Sequence, residues 1–176
     1  FNTRRKGGLQ AAQYHCPRVS LALPLHESFR MSHPRFHCPF PLTANHRLEL
    51  PDDLAHHAVR VLRLRHGSSI ILFDGLGGHY PATLEIDGKR AWAQTSDHVN
   101  ADAELPVRTV LVQGIASGDK MDWVVEKAVE MGVAQLVPIT AQRSVIQLSG
   151  DRREKRLRHW QRIAVAASEQ CGRNRV

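Results

Sequence analysis

Cysteine is scarce in this 176-residue chain: Cys16, Cys38 and Cys171 are the three present, far apart and without a Cys-x-x-Cys pair. That spacing excludes a disulfide framework and the usual zinc sites, and it suits a reducing compartment, so the expected location is cytoplasmic. No apolar run approaches the length of a membrane span, and no membrane partner is expected. Eleven histidines are available, yet none stands in a His-Glu-x-x-His or comparable ligand spacing. The adjacent His56 and His57 would point about 100° apart on a helix, and no metal is expected. Gly-x-Ser-x-Gly and Walker-type Gly-Lys-Ser/Thr motifs are missing too. Gly75-Leu76-Gly77-Gly78 follows a strand but leads into another strand-like segment. It therefore lacks the helix N-terminus that holds a pyrophosphate, and it reads as a hairpin loop. Acids are outnumbered, 17 against 24 Lys and Arg, and the net charge of +7 inclines the chain toward a polyanionic partner. The 42% hydrophobic and 23% charged shares are those of a globular protein long enough for a real core.

Along the chain, residues 1–30 hold five Lys or Arg against one acid, Glu27, and show no sustained periodicity. An organellar leader or an RNA-contacting arm would fit that composition. Residues 1–32 are expected to be a disordered or spurious extension upstream of the true start. From His33 to about Glu104 short elements alternate with turn signals. Arg35–Cys38 reads as a first strand, and Asp52 or Asp53 as the cap of a helix that turns Leu54, Ala58, Val61 and Leu62 inward. Ser69–Phe73 and His79–Ile86 read as strands, and Asp87-Gly88 marks a hairpin into a further strand, Lys89–Thr95. Many short strands with one helix suggest a small β-barrel. Asn100–Pro106, polar and ending in proline, reads as a linker.

Beyond it the pattern changes to β-α-β. Val107–Ile115 is a run of strand formers, and Asp119 can cap a helix bearing Met121, Val124, Val125, Ala128 and Met131 at helical spacing. Gly132 stops that helix where a left-handed residue is wanted, and Ala134–Pro138 forms the next strand, parallel to the first. A last helix spans Asp151 to about Cys171. Leu157, Trp160, Ala164, Ala167 and Cys171 line one face of it, and Arg152, Arg153, Lys155, Arg156, Arg158 and Arg162 crowd its first half.

Three stretches, in order, carry a family resemblance: Ser117-Gly-Asp-Lys-Met-Asp-Trp-Val-Val-Glu-Lys-Ala-Val-Glu-Met-Gly-Val133, Pro138-Ile-Thr-Ala-Gln-Arg-Ser-Val-Ile146 and Ala166-Ala-Ser-Glu-Gln-Cys-Gly-Arg173. His56–Gly67, with Arg60, Arg63 and Arg65, adds a fourth. They resemble the RsmE family, SPOUT-class enzymes that methylate N3 of a uridine in 16S ribosomal RNA of the small subunit. Ser68 departs from the family, which usually has an acid after the glycine. The resemblance implies an α+β chain of two domains. A PUA-like small β-barrel (33–104) for RNA contact precedes the first part of an α/β SPOUT trefoil-knot methyltransferase domain (105–176), with the knot beyond Val176.

The resemblance implies S-adenosylmethionine as methyl donor, a homodimer at full length, and the small ribosomal subunit as partner. RNA contact is implied for Arg35, His57, Arg60, Arg63, Arg65 and Lys120. Arg143 and Arg173 are candidates to grip the target uridine or a flanking phosphate, Glu169 to take the N3 proton, and Gln170 to bond the base edge. Lys127 and Glu130 match family positions too, but at i, i+3 they can simply pair on a helix. No cofactor-binding residue is identified, and the expected outcome is an incomplete enzyme. The alternative is a non-catalytic RNA-binding protein that keeps the barrel without the cofactor knot.

Overall fold

The hairpin signalled by Asp87-Gly88 organises the first half of the fold. In the computed structural model, which describes residues 33–88, 90–101, 103–140 and 150–176, β4 (Tyr80–Asp87) and β5 (Arg90–Thr95) pair antiparallel from Ala82↔Thr95 to Asp87↔Arg90. Gly88 at φ +59° supplies the left-handed turn conformation that the two-residue loop needs. β3 (Ser69–Phe73) pairs antiparallel with β4, and β1 (Arg35–His37) runs parallel to β3. The fifth strand, β2 (Arg47–Glu49), lies on the far edge against β5, giving the order β1-β3-β4-β5-β2. Its three residues show no hydrophobic alternation to find. Tertiary bonds place it instead: the buried Thr95 hydroxyl accepts from the His46 N–H (2.9 Å) and donates to Thr43 O (2.7 Å). Arg47 is held by Glu85 at 2.7 Å and lies over Trp92, charged cover suited to an edge strand. Alternating residues of the sheet, Phe36, Ile70, Leu72, Ala82, Leu84, Ala91 and Ala93, form the main core.

The helix against this core differs from the expected one. α1 (Asp52–His56) begins with Pro51 at its N-cap, and neither acid caps it; Asp53 Oδ1 accepts only the neighbouring Leu54 N–H. At His57–Val61 the chain continues as a π turn, closed by the Leu62 N–H to His57 O bond of 2.9 Å. The wider turn shifts the inward face. Ala55 and Ala58 are buried, whereas Val61 and Leu62, expected inward, are 59% and 43% exposed.

The second half follows its pattern closely. β6 (Val110–Gly114) and β7 (Gln135–Ile139) pair in parallel from Val110↔Gln135 to Gly114↔Ile139, joined by α2 (Lys120–Glu130). Asp119 occupies the N-cap of α2 but its side chain caps nothing; its carbonyl accepts from the Trp123 N–H. Gly132 takes φ +81°, as a helix stop requires. α3 (Gly150–Cys171) packs on α2 through Met121, Val125 and Trp160. Asp122 sits between the two helices, 2.7 Å from His159 Nε2 and accepting from the Trp160 indole N–H at 3.0 Å. Met131, expected inward, is exposed because α2 has ended before it. Among the described residues, no helix is long and apolar enough to cross a membrane, and none form a cluster that could hold a metal ion.

Candidate functional site

The basic turn after α1 is the first candidate. Arg60, Arg63 and Arg65 are all exposed on it and form no ion pair among the described residues. The chain leaves the π turn through Arg63 at φ +55°, and the Leu64 N–H then closes on Ala58 O at 3.0 Å. Helix ends of this type usually place glycine at the left-handed position. An arginine there is a conformational cost carried at a charged, solvent-facing point. The turn is fixed next by Ser68, whose hydroxyl accepts from the Arg65 N–H at 2.9 Å. That gives the unusual Ser68 a local structural role. His57 stays half-buried, its ring edge-to-face with Phe36 at 5.8 Å.

Arg173 is placed quite differently from the expectation. It is 6% exposed, and its guanidinium forks onto Glu104 at 2.9 and 2.6 Å. Nη1 donates to Val129 O (3.1 Å), near the end of α2, and to Val133 O (2.9 Å), just beyond it. With four of its five N–H donors spent this way and its side chain buried, Arg173 is held as a structural clamp and has at most one donor left for a uridine or a phosphate. The same holds in part for Arg35, which donates to the Asn174 side-chain oxygen and Gly172 O and lies 5.2 Å from the Phe73 ring centroid. Asn174 in turn donates to Ala101 O. Ala101 and Glu104, in the segment expected to be a linker, are therefore tied to Asn174 and Arg173.

Lys120 is exposed at the first position of α2, and Gln170 is exposed on α3 without a hydrogen bond among the described residues. Lys127 does pair, with Glu130 at 2.8 Å and Glu126 at 2.9 Å. Arg143 lies outside the described residues.

Glu169 has the most suggestive surroundings. It faces an open cleft of about 970 Å³ whose wall includes His37, His57 and Asp74 on one side and Arg158 and Arg162 of α3 on the other. One carboxylate oxygen, Oε1, accepts the His37 backbone N–H at 2.9 Å. The other takes no hydrogen bond among the described residues. Burial pushes the Glu169 carboxyl above its ordinary proton affinity, against the opposing pull of that N–H, His57 and Arg35. Burial also lowers the His37 imidazole, despite Asp74, which favours its neutral form. Asp74 is itself satisfied by the Leu42 and Leu76 backbone N–H groups at 3.2 and 3.1 Å.

Comparison with known proteins finds matches to both halves of the chain. Residues 103–176 match an RNA methyltransferase domain, and residues 50–95 match an RNA methyltransferase PUA domain. The ribosomal RNA small subunit methyltransferase E of Bacillus subtilis is 32% identical over 122 residues, 69% of this chain and 48% of its own. A crystal structure of ribosomal RNA small subunit methyltransferase E from Neisseria gonorrhoeae, bound to S-adenosyl methionine, superposes with a TM-score of 0.77 at 41% identity. It covers 82% of this chain and 60% of that one. The putative methyltransferase Lpg2936 of Legionella pneumophila, in complex with the cofactor SAM, gives the same TM-score at 28% identity. The chain belongs to the RsmE family. It spans about half the length of the curated relatives it matches.

The RsmE motif Glu169-Gln170-Cys171-Gly172-Arg173 thus divides its work in this fold. Glu169 faces the cleft, Gln170 faces solvent, and Arg173 turns back under the end of α2. The structure gathers Arg60, Arg63 and Arg65 on one turn, and His57 and Glu169 in one cleft. Reasoning from sequence missed His37, Arg158 and Arg162 as cleft residues, and Glu104 and Asn174 as clamp residues. The one advance signal was the basic run on α3, which fixed the helix but not the side facing the barrel. Glu104 and Asn174 stand alone in polar segments, where no periodicity marks them.

Proposed function

We propose that the protein carrying this chain transfers the methyl group of S-adenosylmethionine to N3 of a uridine in 16S ribosomal RNA. We further propose that it acts in the cytoplasm, as a homodimer, on the small ribosomal subunit. Residues 33–104 are read as its PUA-like RNA-binding barrel and 105–176 as the first part of its SPOUT domain. The single observation that carries this is the family match across both halves, 50–95 and 103–176.

The chemistry sets clear demands. N3 lies on the Watson–Crick edge, so the uridine must be unpaired or turned out of its stack. Arg60, Arg63 and Arg65 can hold the surrounding phosphates by charge and paired N–H donors. The N3 proton must leave before or during attack, and a carboxylate of raised proton affinity such as Glu169 is suited to receive it. Bound S-adenosylmethionine supplies the electrophilic methyl. That donor needs polar partners at its ribose and methionine ends. The cleft of about 420 Å³ between α2, β7 and α3 does not supply that set: it is walled mainly by aliphatic side chains, with Arg173 already committed to Glu104. No described residue is assigned to hold it.

The test is methyl transfer from labelled S-adenosylmethionine to small-subunit RNA, followed by nuclease digestion and mass spectrometry of the modified nucleoside. 3-Methyluridine is the expected product. A different methylated nucleoside, or RNA binding without binding of the donor, would reject the assignment, the latter in favour of a non-catalytic RNA-binding protein.

A further inference from the structure

We infer that the cleft between β1, the π turn and α3 is a pocket for one unpaired uracil nucleotide, its base edge read by Glu169 with His37 and His57 and its phosphate held by Arg158 and Arg162. The inference rests on the proposed action on a uridine and adds to it a place in the fold, imidazole partners for the base edge and a phosphate anchor.

Three observations point the same way. The volume, about 970 Å³, leaves room for a nucleotide with solvent around it. Second, the wall holds both kinds of polar group that a base edge pairs with. A uracil edge presents an N–H donor between two carbonyl acceptors. Glu169 offers one free carboxylate oxygen as acceptor, and the imidazoles of His37 and His57 in the same wall each carry an N–H donor in the neutral form. Adenine and cytosine place a ring nitrogen acceptor where uracil has its N–H, and would set a lone pair against the carboxylate. Third, the wall also holds apolar surface for a base face. Leu54 is half-buried there, and Leu76 is 67% exposed.

The rim supplies the anchor. Arg158 and Arg162 stand one turn apart on α3, both exposed. Arg158 has only a long contact of 3.5 Å with the exposed Glu154, and Arg162 spends one N–H on the Arg158 carbonyl at 3.4 Å. Most of their donors remain for a phosphate. Two further carboxylates line the cleft and keep their charge: Asp74 accepts two backbone N–H groups, and Asp53 Oδ1 accepts the Leu54 N–H, so the phosphate anchor lies with the α3 arginines.

The experiment is a nuclear magnetic resonance titration of this chain with uridine monophosphate, 3-methyluridine monophosphate, cytidine monophosphate and uridine. Methyl signals of Leu54, Leu76 and Val165 report the cleft. Uridine monophosphate should shift them saturably. The 3-methyl compound, lacking the N3 proton, should bind at least about tenfold more weakly, the usual scale for losing a hydrogen bond to a charged group. Cytidine monophosphate should bind more weakly than uridine monophosphate. The double variant R158A/R162A should weaken uridine monophosphate severalfold and leave uridine unchanged. Equal binding of the methylated and unmethylated nucleotides would overturn the inference, as would an absence of saturable shifts in the cleft with the fold intact. This outcome is separate from the methylation assay, since a protein that methylates RNA with its cleft empty would fail here and pass there.

Discussion

Replacing Arg173 with alanine tests the clamp most directly. The substitution removes a bidentate ion pair and two further bonds to the Val129 and Val133 carbonyls. It leaves the Glu104 carboxylate without its partner in a site where that side chain is 19% exposed. Breaking a buried pair by deleting one member costs about 3–5 kcal/mol, most of it from the charge left behind. Because water reaches Glu104 in part, the lower end applies, about 3 kcal/mol. For a domain of this size that is roughly 6–12 °C in Tm. Chemical denaturation of R173A, E104Q and the double variant measures it. The double variant should be more stable than the sum of the two losses implies, by about 1 kcal/mol or more, since it buries no unpaired carboxylate. The sequence motif alone predicts that R173A loses methylation through lost contact with the uridine. The structure predicts instead that any loss follows the unfolded fraction and recovers on cooling. A destabilisation below about 1 kcal/mol, or strictly additive variants, would refute the clamp.

Three further predictions follow from individual residues. Gly132→Ala forces a left-handed φ of +81° on alanine and sets its Cβ 2.8 Å from Leu105 Cγ, so urea denaturation should show a loss of about 1–2 kcal/mol that L105A relieves only in part. Glu169 has a raised folded proton affinity, so its contribution to stability is present below the ordinary carboxylate range and is lost as pH rises through the raised value. E169Q, which is never charged and can still accept the His37 N–H, should therefore gain on the parent protein as pH rises through that window; denaturation midpoints showing the parent gaining would exclude the burial argument. Arg63→Gly removes the left-handed strain and should raise stability by about 1 kcal/mol. The same variant should flatten the salt dependence of RNA binding by roughly 0.7–0.9 in logarithmic slope, one phosphate contact's worth, and an unchanged slope would take Arg63 off the RNA.

The contrast between Arg63 and Arg173 shows what could be learned from sequence and what could not. Both are arginines in family motifs, and both were natural candidates for RNA contact. The β-α-β unit, the Asp87-Gly88 hairpin and the long last helix were legible because periodicity and turn chemistry are local properties of the chain. Burial of a charged side chain is not local. Arg173 is turned inward by Glu104, sixty-nine positions away, and by the Val129 and Val133 carbonyls on either side of the end of α2. β2 was invisible for the same reason, since Thr95 and Trp92 hold it from another strand. The π turn was missed because a single extra residue rotates a helical face without altering the residues that form it. The cleft combines both kinds of information. Glu169 was named from its motif, whereas His37 and Arg158 join it only because α3 crosses β1. A carboxylate alone on a helix end is a poor argument for catalysis. With one oxygen fixed by a backbone N–H, the other free, and imidazoles beside it, the same carboxylate becomes a directed acceptor, and the direction is what a uracil N–H would read.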